Sequence, residues 1–335
     1  MATHSFSNLM RRLSSAGFKR DVVDPALLPD WWDDSLSSDA SILPEIEIRV
    51  ARFLNRLVTE VRDPRVSLVV PVRAGAVLRR VRPMEVERLG PAIHTALAVA
   101  GAVARSLRNS SIDVRPPPRD PFMWRSSIER PNPSISLDVL LRDLWARGVP
   151  VVPVDILPTP KFQGLACIID DRPIIVVGHQ HDAPGRLAFV VGHEAGHIAA
   201  GDCALGHLIV DQDEEVDDQS DIERRADQFA TRLLVGSDRV PALTATDFRE
   251  LAKQAISLER MEGVDATTAI FAWARGTGNY TAASMAVQAL YRHTGGRALL
   301  RSHVLENVDF DSASESDRSL LRLVVGDSEI ATAAD

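Results

Sequence analysis

The stretch Phe189 to Asp202, "FVVGHEAGHIAAGD", constrains this chain more than any other. His193, Glu194 and His197 form H-E-x-x-H inside an otherwise apolar segment. On an α-helix, residues i and i+4 lie one turn apart on the same face. Two imidazoles so placed can reach one ion at ~2.0–2.1 Å. Glu194 stands beside them, where it can take a proton from a water held at that ion. A hydrolytic zinc site needs a third protein ligand and leaves a fourth position for water.

The segment "DIERRADQFATRLLVG" supplies a candidate for that third ligand. Its spacing predicts a second helix with a buried stripe of Ile222, Ala226, Phe229, Ala230 and Leu233. Glu223 and Asp227 lie one turn apart along the edge of the stripe. Carboxylates in that position are costly unless they have partners. A cation shared with His193 and His197 removes the cost. Glu223 is then the third ligand, and Asp227 orients one of the histidines from behind. The predicted cofactor is Zn2+.

A chain of 335 residues is too long for one small core, which predicts two or three domains. The apolar spacing of "PEIEIRVARFLNRLVTEV" (Ile46, Val50, Phe53, Leu54, Leu57) predicts a helical region over 1–114, with a possible degenerate helix-turn-helix in it. Residues 115–133 are proline-rich and read as a linker or extended strap. Residues 134–240 read as an α+β metallopeptidase domain. Ser134 or Ser136 caps its first helix, and Gly148 ends it. "GLACIID" and "IIVVGH" then form a hairpin ahead of the H-E-x-x-H helix. Residues 241–335 read as a helical C-terminal domain.

Two cysteines give no disulfide framework and suit a reducing compartment. The N-terminus lacks the apolar core of a secretory signal. The most apolar run, Leu89 to Ala104, is too short to span a bilayer and reads as a buried helix. These features predict a cytoplasmic protein with no membrane partner. The net charge of −8 is uneven. Residues 1–119 hold 18 basic and 13 acidic side chains, so this basic N-terminal region is a candidate for DNA contact.

"AFVVGHEAGHIAAG" followed by "IERRADQFATRLLV" resembles the ImmA/IrrE family of metallo-endopeptidases, and the resemblance covers roughly the middle third of the chain. It implies a cytoplasmic, zincin-like domain in which zinc is bound by His193, His197 and Glu223 and Glu194 is the catalytic glutamate. It also implies a protein substrate: a helix-turn-helix repressor encoded nearby, whose cleavage switches on phage, mobile-element, stress or defence genes. Some relatives act in antiphage or toxin–antitoxin settings, so a toxin is a second partner class. The chain departs from the family pattern where a proline usually follows the second helix, here delayed to Pro241. It also lacks a clear helix-turn-helix sequence.

Other residues carry weaker signals. His179 and His181 follow a strand end and read as solvated or substrate-facing, and His207 as structural. Tyr280 or Tyr291 could stabilise an oxyanion, but each reads first as a packing residue. Trp31 and Trp32 are expected to anchor the N-terminal core. Alternation places Leu165, Cys167 and Ile169 on one face of a strand bordering the cleft. Cys167 is therefore a candidate latch that could fill the fourth zinc position, against the plain alternative of a packed core thiol. An extended substrate is expected to add to the edge of the hairpin at 164–178. The competing reading is a non-proteolytic regulator or antitoxin whose zinc domain only binds a partner protein or DNA. An intact Glu194 argues against it, because a structural zinc site needs no base.

Overall fold

The computed structural model describes residues 5–70, 76–79, 87–108, 112–130, 132–178, 181–203, 208–211, 221–239, 242–290 and 295–325. At the N-terminus, helix α1 (Phe6–Ser15) starts on Ser5, whose hydroxyl accepts from the Asn8 amide, and α2 (Arg20–Leu27) follows. Trp32 is partly buried and stacks on Phe6 with ring centroids 4.7 Å apart, whereas Trp31 is 51% exposed. The segment expected as one helix from Pro44 is two. Asn55 adopts a left-handed conformation (φ 51°) that ends α3 (Leu43–Leu54), and α4 (Val58–Arg62) restarts beyond it. Ile46, Val50, Phe53 and Leu54 are buried as their spacing requires. Leu57 is not, because it sits at the start of α4 instead of continuing α3.

Strand β1 (Ala76–Arg79) and helix α5 (Gly90–Arg105) come next. The long apolar run is α5, buried on nearly every side, which is what a helix without a polar face requires. Among the described residues no helix is long and apolar enough to cross a membrane.

The proline-rich segment is not a free linker. It contains α6 (Pro121–Ser127), opened by the Asp120 carboxylate, which accepts from the Phe122 and Met123 amides. Proline in the first turn is already set for a helix and lacks only an amide that would have no helical partner. Trp124 is fully buried, 5.9 Å from the Phe229 ring, and its indole N–H donates to Asp143 at 2.6 Å.

Helix α7 (Leu137–Ala146) is capped by Ser136, and Gly148 turns the chain with φ 74°. It leads to β2 (Val151–Pro153) and the hairpin of β3 (Gly164–Ile169) and β4 (Arg172–Val177). Asp170 and Asp171 both take left-handed φ (47° and 63°), the geometry of the tightest hairpin turns. Helix α8 (Pro184–Ala200) carries H-E-x-x-H; β5 (Leu208–Asp211) and α9 (Asp221–Val235) follow.

The strands form one sheet in the order β1-β5-β3-β4-β2. β3 is antiparallel to β4 and β5, while β2–β4 and β1–β5 are parallel. The hairpin is therefore flanked at its open end: β5 pairs with Gly164–Ala166 of β3 and β2 with Ile175–Val177 of β4. Five consecutive buried residues on β4, Pro173–Val177, show that both faces of the sheet are covered. Helices α8 and α5 both pack there. The architecture is helix-rich α+β.

Residues 241–335 do not form one separate domain. Helices α10 (Phe248–Glu262), α11 (Ala266–Thr277) and α12 (Tyr280–Leu290) enclose a small core of their own with Val235. Helix α13 (Gly296–Asn307) returns to pack on α7 and β2, and α14 (Glu315–Val325) packs on α2 and α5. Leu300, Val304, Leu321 and Val324 thus belong to the same core as Leu27 and Val99. Ion pairs tie this return down: Arg105 to Asp317 at 2.5 Å, Arg49 to Glu315, and Arg322 to Asp30.

Candidate metal centre

Two small residues bring the second helix to the first. A Cβ on Gly192 would stand 3.4 Å from the Ala230 side chain, and one on Gly196 would crowd Phe229 at 3.2 Å. Glycine at both positions lets α9 lie close against α8. Glu223, at the start of α9, then reaches the two histidines. His193, His197 and Glu223 are all buried, and their ligand atoms lie within 4.8 Å of one another. Nε2 of His193 is 3.1 Å from Nε2 of His197 and 3.2 Å from Oε2 of Glu223; His197 Nε2 is 3.5 Å from Oε1.

The protonation of the rings follows from what lies behind them. His193 Nδ1 is 2.9 Å from Asp227 Oδ1, and His197 Nδ1 is 3.0 Å from Asp202 Oδ2. An ionised carboxylate only accepts, so each Nδ1 must carry the proton. Burial, opposed in part by the Asp202 bond, lowers the His197 pKa and favours its neutral form. Nε2 of each ring is then the atom that faces the Glu223 carboxylate, and in the neutral form each can bind a cation. Tetrahedral bonds of ~2.0–2.1 Å imply ligand–ligand separations of ~3.3–3.4 Å, close to the distances seen here. The donor set fits a metal ion.

Each supporting carboxylate is itself held. Arg275 on α11 donates to Asp227 Oδ2 at 2.9 Å and lies over the Phe189 ring. Arg225 donates to both oxygens of Asp202, at 2.7 and 2.9 Å. Burial raises the Asp202 pKa, but the bonds from His197 and Arg225 outweigh it and leave the group below its ordinary value. Asp202 is a site residue that sequence spacing did not assign. Gly201 takes φ 81° and closes α8, and the Asp202 amide donates back to the His197 carbonyl at 3.0 Å. That C-terminal turn places the Asp202 carboxylate behind His197. Its signal was the Gly-Asp pair just past the motif.

Glu194 is fully buried beside the histidines. Gly164, the first residue of β3, passes so close that a Cβ there would stand 2.3 Å from Glu194 Oε1. This second unassigned residue has only a weak sequence signal, a glycine at the start of a strand.

Cys167 does not join the group of ligand atoms. Its thiol donates to the Ile174 carbonyl of the paired strand at 3.7 Å. Burial and then the Glu194 charge push its pKa up to about 12. It is therefore a neutral core residue, and the expected latch is corrected to packing. Cys203 is raised by the same two causes in the same order. His181 is exposed, and Tyr280 opens α12 with Arg186 over its ring. His179, His207 and Tyr291 lie outside the described residues, as do Arg73, Arg80 and Arg82 of the basic N-terminal region that was a candidate for DNA contact. A cavity of about 470 Å³ between α3, α5, α14 and the hairpin turn shares no lining residue with the centre.

No model of a known protein family matches the chain, and no curated protein matches it.

Proposed function

We propose that this protein is a zinc-dependent endopeptidase with a zincin-like centre. The observation that carries the reading is the closed set of buried groups. Two imidazoles, each backed by a carboxylate, face Glu223, and a candidate general base stands beside them.

His193, His197 and Glu223 would hold the zinc, which supplies Lewis-acid polarisation and a more acidic water. Asp227 and Asp202 hold a proton on Nδ1 of each ring, leave Nε2 as the atom turned to the metal, and fix the ring planes. Glu194 takes the proton from the attacking water and passes it to the leaving amide nitrogen. Burial of Glu194 keeps bulk water from competing for that proton. Gly164 holds the backbone of β3 against the Glu194 carboxylate, so a peptide running beside β3 passes the base.

The resemblance of "AFVVGHEAGHIAAG" and "IERRADQFATRLLV" to the ImmA/IrrE family supports a selective substrate. On that reading the target is a helix-turn-helix repressor encoded nearby, and cleavage releases its genes. The deciding experiment pairs the purified chain with such a repressor. Wild type should cleave it, and Glu194→Gln should retain zinc but not cleave, since an amide cannot take up the proton. Equal cleavage by both would refute the reading.

A further inference from the structure

We propose that β5 is a built-in occupant of the substrate edge of β3, clamped by β1, so that the folded chain keeps its own cleft closed. The proposal concerns regulation of the centre and rests on the endopeptidase reading.

Glu194 identifies the edge. The strand against its carboxylate is β3, at Gly164. One side of β3 is taken by β4 along its whole length, from Gly164↔Val177 to Ile169↔Arg172. An extended polypeptide can reach Glu194 by strand pairing only on the other side. That side carries β5, antiparallel, with Gly164↔Asp211, Leu165↔Val210 and Ala166↔Ile209 in register. The residue pair nearest the base is therefore filled by the chain itself.

The next edge outward is closed as well. β1 pairs with β5 in parallel, from Ala76↔Leu208 to Arg79↔Asp211. Neighbouring strands lie ~4.7–4.9 Å apart, so a peptide added outside β1 would run about 14 Å from β3. Proton transfer needs contact at about 2.6–3.2 Å or through one water, which that distance forbids. A substrate must displace β5, or β1 and β5 together.

The seal is built to yield. Among the described residues β1 and β5 span four residues each, and three pairs join β5 to β3. Short strands hold weakly, and parallel pairing is slightly the weaker kind. Yet β5 is tethered to α8, so its effective concentration at β3 is about millimolar. A competing segment must be unfolded and well matched to win. A folded or poorly matched protein is excluded without any further device.

The test uses the zinc-loaded chain carrying Glu194→Gln, so that nothing is cleaved during binding. A fluorescein-labelled peptide of residues 205–214, LGHLIVDQDE, is titrated into this chain and into the same chain with 208–211 replaced by Gly-Ser-Gly-Ser. The replaced chain should bind the peptide about tenfold more tightly or better, because the tethered competitor is gone. Equal affinity for both chains would overturn the proposal, as would no binding by a replaced chain that keeps the parent's circular dichroism and zinc. Should the replacement fail to fold, Val210→Pro removes one backbone donor from β5 and is titrated in its place. Tighter binding than the parent is expected there, and unchanged binding overturns the proposal. These titrations do not depend on catalysis. The peptidase reading stands or falls separately, on zinc content and on cleavage by the chain with Glu194 intact.

Discussion

At the residue scale, the two layers of the centre make different predictions. His193→Ala and Glu223→Ala should each abolish zinc binding, measured by metal analysis of protein purified without added metal. Asp202→Ala and Asp227→Ala remove only the groups behind the imidazoles. They should weaken zinc affinity by about 10–100-fold, read by competition with a chelator, while the fold is kept. Unchanged affinity in Asp202→Ala would show that the His197 contact has no bearing on the metal. Gly164→Ala puts a methyl 2.3 Å from Glu194 Oε1 and should impair cleavage more than zinc content. Cys167→Ser should leave regulation unchanged. Both thiols should resist iodoacetamide at pH 8 in the native protein and react after denaturation, because burial holds them protonated. The grouping of His193, His197 and Glu223 was legible in the sequence because helical spacing fixes which side chains share a face. Asp202 and Gly164 were not. One depends on a left-handed turn folding the chain back by one residue, the other on a strand that approaches from outside the motif.

At the element scale, the fit of α9 on α8 decides whether Glu223 arrives at all. Gly196→Val would push into Phe229 and force the helices apart. It should cost about 1–3 kcal/mol in denaturant melts and lose zinc with it, although residue 196 touches no metal. The far end of α9 is pinned by Arg125 of α6, whose guanidinium donates to the carbonyls of Leu233, Leu234, Pro133 and Gly263. Burial, then the neighbouring Arg130, lowers the Arg125 pKa without threatening its charge. Arg125→Met strips several carbonyls of their donor and should destabilise the protein by about 2–4 kcal/mol. A melt unchanged from wild type would remove α6 from the list of elements that fix α9. Helices α5, α7, α8 and α9 and the β3–β4 hairpin were readable because local periodicity and turn chemistry specify them. α6 was hidden by the density of prolines around it, which marks interruption as readily as it marks a helix start. β1 was hidden because its strand exists only through pairing with β5, more than a hundred residues away.

At the scale of the whole molecule, the boundaries drawn from composition dissolve. The main core takes side chains from α1 through α9 and again from α13 and α14, while α10 to α12 stand around their own. A fragment of 134–240 keeps the zinc ligands but loses α5 from the sheet and α13 from α7 and β2. It should bind a hydrophobic dye and show little near-ultraviolet circular dichroism, whereas the full chain should give a resolved aromatic spectrum. No sequence pattern announces that α14 will return to α2, since such contacts are set by topology and not by spacing. That return also sets a timetable. Synthesis at about 5–20 residues per second separates the emergence of α5 from that of α14 by roughly 10–45 s. Throughout that interval the faces of α2 and α5 that α14 will cover have no partner on the nascent chain. The N-terminal helices must wait for α14, and a ribosome that stalls anywhere before residue 325 leaves behind a polypeptide that cannot finish its first fold.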